Sequence, residues 1–269
     1  MGLLDVLFDK FLDGVANVIQ FSLNYRLRHP KPLSQTGQRK ASVLLMDVYK
    51  KGHYQFAYEV ARSLQDDFFC ASMLVQMGLF REAEQTFLKV VASQKGPKQA
   101  ALANEALGQL FLFQQGYEKA QECFKAALQL WPERGATHRC IAEVWLRRGD
   151  NAPDALREAR LAVEKERAGE GITPLTKAIN LSEDLATLAW AQAANGGDAA
   201  EVDRLAAEAA GLCNGFPVTS TAQVHVHCGM AYAALGDSAK RAQHFEEAAR
   251  VDPQGIWGRE ATRAAGVPR

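Results

Sequence analysis

The sequence predicts an all-α fold, and three observations carry that expectation. Apolar residues recur at three- and four-residue spacing, Ala and Leu abound, and no stretch sustains alternation at period two. Short turns punctuate the pattern at distances that suit helical hairpins: KKGHY (50–54), MGLF (77–80), QQGY (114–117), RRGDN (147–151), NGGD (195–198) and LGDS (235–238). With 269 residues and 48% hydrophobic content, the chain can bury a core without disulfides.

Residues 101–134 show why those hairpins should pack. Small residues (Gly108, Ala120, Ala127) stand at set distances from bulky ones (Leu107, Phe111, Tyr117, Phe124), and Pro132 closes the unit. Gly108 and Ala120 are expected to let two helix backbones approach while the large side chains fill the space beside the crossing. Pro132 lacks an N–H and ends the second helix. In spacing and residue type this unit resembles the tetratricopeptide repeat family. Residues 222–255 repeat it with Cys228, Gly229, Tyr232, Gly236, Phe245, Ala248 and Pro253, although Arg241 stands where Ala is expected. Residues 135–168 supply Ile141, Ala142, Trp145, Gly149, Ala155, Ala159 and Ala162 after a one-residue insertion near Pro153. Weaker units surround Gly78, Phe80, Ala83 and Phe87, and Gly52, Tyr54, Ala57 and Ala61. The unit at 183–216 is degenerate, keeping Trp190, Gly197, Ala206 and Ala209. The resemblance implies a right-handed helical solenoid of five to six helix pairs, with an N-terminal amphipathic helix and a C-terminal capping helix.

In chain order the expected organisation begins with an arm and basic linker over 1–36. Its apolar stripe includes Leu4, Leu7, Phe8, Phe11 and Leu12, and faces Asp5, Asp9, Asp13 and Asn17. Repeats follow over 37–168, then a long connection over 169–182, where Gly171 and Pro174 break helix. Two further repeats occupy 183–255, and a capping helix and tail 256–269, since a terminal repeat otherwise exposes an apolar face.

Composition narrows the function. Thirty-one basic and thirty-one acidic residues leave no net field to attract nucleic acid. Seven basic residues against Asp47 between Asn24 and Lys51, and six acidic residues against Arg204 over 183–216, form a charge gradient that suggests head-to-tail self-association. Five cysteines, odd in number and never in a C-x-x-C pair, suit a reducing compartment. The absence of a signal-like N-terminus or a long apolar span reads as cytoplasmic, with membrane contact at most peripheral.

None of the common phosphate, dinucleotide, zinc or acyl-transfer motifs occurs, so no enzyme activity, cofactor or metal is expected. In HVHC, His225 and Cys228 share a helix face, but Cys228 occupies a core position of the repeat, which favours packing over a metal site. The resemblance implies that first helices line a concave groove for a peptide or helix of a protein partner. Here that lining includes Leu102, Leu112 and Phe113, then Arg139, Glu143, Leu146 and Arg147. Glu105 and Gln109 stand where the carboxylate-clamping subtype of the family has Lys and Asn, which speaks against that specificity. The sequence therefore reads as a non-catalytic scaffold or adaptor that works through the groove or the arm. The alternative is a peripheral membrane assembly factor anchored by the arm.

Overall fold

A computed structural model of the chain describes residues 35–93, 96–169 and 173–266. Among these residues there are thirteen helices and no strand, as the apolar periodicity requires. The arm residues Leu4, Leu7, Phe8, Phe11 and Leu12 lie outside the described residues.

Each quoted turn joins two antiparallel helices. The Gly52 turn links α1 (Gln35–Lys50) to α2 (Tyr54–Ser63), and the Gly78 turn links α3 (Asp67–Met77) to α4 (Phe80–Ala92). The next hairpins are α5 (Pro97–Phe113) with α6 (Tyr117–Leu130) and α7 (Gly135–Arg148) with α8 (Ala152–Ala168). The last are α9 (Pro174–Ala194) with α10 (Ala199–Leu212) and α11 (Val218–Leu235) with α12 (Ser238–Val251). A final short helix, α13 (Ile256–Ala264), follows α12. Gly78, Gly149 and Gly236 end their first helices at φ of 79°, 70° and 78°, a left-handed conformation that a side chain would strain. The later second helices start on polar caps: the Asn151 side chain accepts from the Asp154 N–H, Asp198 from that of Ala200, and Asp237 from that of Lys240.

The connection expected over 169–182 is helical from Pro174 onward. Thr173 caps α9 by accepting the Thr176 N–H, and Pro174 occupies the first turn, where its missing N–H costs nothing. A proline read as a breaker is here a helix start.

The spacing of small and large residues has a more specific cause than backbone approach alone. A Cβ built on Gly108 meets only the ring of Phe124, with Cε1 at 2.5 Å, and one built on Gly229 meets that of Phe245 at 2.6 Å. In both hairpins the fully buried phenyl ring of the second helix abuts the glycine of the first. Small residues here make room for a ring, which the sequence reading had assigned to the Gly108–Ala120 crossing.

First helices occupy the inside of the curve. Helices α3, α5, α7, α9 and α11 each pack on the next, α11 packs on α13, and α13 returns to α3, so the inner layer closes into a ring. The apolar core confirms the closure. One cluster joins Ala71 and Leu74 of α3 with Leu110 and Phe111 of α5, Val226 of α11, Phe245 of α12 and Trp257 of α13. A second cluster fills the α7–α11 side, and a third seals α1 to α2 and α3. At the seam Tyr54 donates its hydroxyl to Asp252 Oδ2 at 2.7 Å, and Asp252 Oδ1 accepts the Gly255 N–H at 3.0 Å. Among the described residues no helix is long and apolar enough to cross a membrane.

Two glycines test the packing argument in opposite directions. Gly211 in α10 has open space at its Cβ position, so Gly211→Ala should raise stability by roughly 0.5–1 kcal/mol through helix propensity. Gly229→Ala gains the same propensity but drives a methyl into the Phe245 ring, and overpacking of about 1–3 kcal/mol should outweigh it. Urea denaturation of the two variants should show shifts of opposite sign.

Candidate interaction surface

The groove-lining residues expected from the sequence sit on the inner ring, and the structure shows what they face. Leu112 belongs to the core that includes α13, and Leu146 to the core of α7–α11. Phe113 meets Trp257 edge-on at a centroid distance of 4.8 Å. Arg139 is buried between two acids of α9, with Nη2 at 2.9 Å from Glu183 and Nε at 3.1 Å from Asp184. Glu143 accepts from Arg147 at 2.7 Å and lies 3.5 Å from His227 Nε2. Arg147 also reaches Glu260 of α13 at 2.7 Å. The wall of a groove is therefore present, but the chain's own α9, α11 and α13 cover most of it. The exception is Leu102, which is half-buried and lines a cavity of about 490 Å3 with Phe68, Val90, Gln65, Asp66 and Lys89.

Inside the ring the polar groups are arranged so that most charges have partners, as burial demands. Glu105 takes a bidentate grip from Arg134 (2.7 and 2.9 Å) and the Thr137 hydroxyl at 2.7 Å. Burial opposes its ionisation, yet Arg134 and these hydrogen bonds hold Glu105 below the usual carboxylate range. Burial works against Glu143 too, but Arg147 and His227 keep it far below that range. The acids on α9 behave differently. Burial pushes Asp184 up to about 8 despite Arg139, and raises Glu183 against the pull of Arg139 and a Ser220 hydrogen bond. One guanidinium facing two buried carboxyls balances only one negative charge, and burial favours the protonated form of the Asp184 carboxyl.

The acidic half of the charge gradient is paired within the chain. Glu183 and Asp184 face Arg139, Glu201 and Glu208 pair with Arg204, and Asp203 pairs with Lys240. The ends of the solenoid meet each other at Tyr54 and Asp252.

His225 does not meet Cys228. Its Nδ1 lies 2.9 Å from His244 Nδ1, and His244 stacks on Tyr232, while Cys228 is fully buried among apolar side chains. His138 pairs with Glu158 at 2.8 Å, and Cys140 accepts from Gln109. Among the described residues no group of three or more His, Cys, Asp or Glu is placed to hold a metal ion.

The sequence reading missed Asp252, Trp257 and Glu260, the interior place of His227, and the seam bond of Tyr54, which it read only as a repeat position. His227 is fully buried, hydrogen-bonded to Thr187 at 2.9 Å and ringed by Trp190 and Trp257. A signal existed: Ser220, Gln223 and His227 stand at helical spacing in α11, as do Glu183, Asp184 and Thr187 in α9. Polar residues at one face of a buried helix point to partners across the ring.

Residues 222–254, which hold the Gly229–Phe245 pair, match the family model of the tetratricopeptide repeat. This segment is similar to a tetratricopeptide repeat. It comprises α11 and α12, so the repeat supplies both Asp252's neighbourhood and the wall behind α13. No curated protein matches the sequence significantly. Among solved structures, BtubC (BKLC) from P. vanneervenii is similar at 16% identity and a TM-score of 0.48, over 80% of this chain and 89% of that one. YrrB, described as a TPR protein with an unusual peptide-binding site, is similar at 18% identity and a TM-score of 0.33, over 74% and 91% of the two chains. Yeast Tom70 is similar at 14% identity and a TM-score of 0.40, over 96% of this chain and 58% of that one.

Two predictions follow from the buried charges. Arg139→Met strands the two acids of α9 and should cost about 3–5 kcal/mol, whereas Asp184→Asn leaves Glu183 its guanidinium partner and should cost much less. Chemical denaturation of both variants checks the ranking. The second concerns acid. Burial lowers both histidines of the 225–244 pair, His244 to about 4 with help from His225, while Glu247 opposes and Arg250 and Lys240 assist. An unfolded His takes its proton near pH 6.5, so stability should fall as pH drops from about 6.5 towards 4. Melting temperatures of wild type and His244→Gln over that window should show a shallower fall for the variant.

Proposed function

We propose that this chain is a non-catalytic interaction scaffold and that α1, together with the arm before it, forms its docking face for a protein partner. One observation carries the reading. Val43 and Met46 are 72% and 44% exposed, and with Arg39 and Lys50 they form one stripe at four-, three- and four-residue spacing. The other side of α1 is committed to the core through Leu45 and Val48, so the stripe is free to face outward. The remaining exposed large apolar side chains, Leu79, Leu88, Leu130 and Leu175, are not paired on a helix face in this way. Two adjacent apolar groups flanked by Arg39, Lys40 and Lys50 suit a partner surface that is apolar and acidic. The inner charges, by contrast, are held in structural pairs.

The test is affinity capture from the native host with wild type and with Val43→Glu/Met46→Glu. Loss of partners with an unchanged melting temperature is expected, because both side chains are exposed. Capture of the same partners by the variant would remove α1 from the interface. Flotation with anionic vesicles separates the lipid reading: the wild-type chain is expected to stay in solution.

A further inference from the structure

The ring is closed by a helix that is held like a ligand. α13 is nine residues long, too short to persist alone in water. Its end groups are satisfied by other helices. The Ile256 N–H donates to Gln76 Oε1 of α3 at 3.2 Å, since its own cap residue, Gly255, offers no side chain. At the other end Arg241 of α12 donates to the Ala264 carbonyl at 2.6 Å, and from the first turn Arg259 donates to the Gln76 carbonyl near the end of α3 at 2.8 Å. Between the ends two side chains enter the wall. Trp257 lies edge-on between Phe113 (4.8 Å) and His227 (5.3 Å), with the Arg147 guanidinium 5.8 Å from its ring. Glu260, three residues on and hence on the same face, takes the free arm of Arg147 at 2.7 Å. Phe113 and Arg147 are two of the wall residues that the sequence marked for partner contact.

We infer that the concave wall is a helix-binding surface whose resident occupant is α13, and that it accepts in exchange a partner helix carrying a Trp and, three residues later, a Glu. The wall supplies an N-terminal cap, a C-terminal cap, an aromatic slot and a cation at fixed separations, and those four features do not depend on which chain the helix comes from. Recognition of this kind reads an amphipathic helix by anchors at i and i+3. Within one chain α13 competes for the site through its short tether from α12, so the partner must displace it, and apparent affinity is reduced by the fraction of time α13 is bound. The inference rests on the scaffold reading but uses a different face from the α1 stripe. Loss of capture in the α1 variant and failure of helix exchange therefore report on separate claims.

The experiment uses the full chain, wild type and Trp257→Ala, with a labelled peptide of residues 254–266 as probe. Fluorescence anisotropy should show binding to Trp257→Ala at least about ten-fold tighter than to wild type, because the indole that holds the resident helix is gone. A control peptide with Trp257→Ala and Glu260→Lys should bind neither protein. Absence of peptide binding to a Trp257→Ala chain that remains helical by circular dichroism overturns the inference. Should that variant fail to fold, hydrogen exchange on the wild-type chain decides. Exchange requires that α13 opens locally, so its amides should exchange at least about ten-fold faster than those of α11. Equal protection of the two helices overturns the proposal. A wild-type dimer that the peptide dissolves would make α13 of a second copy the occupant and would overturn exchange with a different partner.

Discussion

The structure depends on one buried carboxylate at the seam of the ring. Asp252 is 1% exposed and holds two donors from distant parts of the chain, the Tyr54 hydroxyl of α2 and the Gly255 N–H just before α13. Burial raises its affinity for protons, and the Tyr54 and Gly255 hydrogen bonds work against that. A hydrogen bond to a buried carboxylate ties its partners more firmly than one between exposed groups, because neither side can return to water without opening the seam. The turn around it is tight as well, since a side chain on Gly255 or Gly258 would collide with Asp252. The chain therefore turns sharply after α12, and α13 is aimed into the ring rather than along the solenoid.

Closure changes what the inner wall can be. In an open solenoid the first helices show one face to solvent and can be lined by almost any residue. Here α9 and α11 are enclosed, and residues such as Glu183, Asp184, Thr187, Ser220 and His227 lose contact with water. Each then needs a partner from across the ring, and Arg139 and Arg147 of α7 supply charge to both sides. These pairs are costly to assemble and costlier to break singly, so they define which helices face each other more than they add to net stability. A consequence for function is that the interior is already spoken for. Binding must use the outer face, the rim cavity beside Leu102, or the place that α13 holds.

The Gly108–Phe124 and Gly229–Phe245 pairs show how one local rule builds the larger shape. A phenyl ring set against a glycine brings the two helices of a hairpin together at the same point in the 101–134 and 222–255 units. The rule lapses in the 183–216 unit, where Ala206 stands in place of the phenylalanine and the paired helix α9 is buried along much of its length. That helix is the one whose acids meet Arg139.

Much of this architecture was legible in the residues themselves. Helical periodicity, the Gly turns and the spacing of Gly108, Phe124, Gly229 and Phe245 act between neighbours in sequence, within one hairpin, so their physics is visible without a fold. The roles of Arg139, Glu143 and Arg147 were half legible: they were placed on the concave wall, but that wall was read as facing a partner. Their true neighbours, Glu183, His227 and Glu260, come from other helices, and Tyr54 and Asp252 meet across nearly the whole chain. The sequence by itself determined the helices and their pairing, because those contacts are local. Only the tertiary structure decided that the solenoid closes and fills its own groove, because closure sums small angles over many repeats and no single stretch of residues encodes that sum.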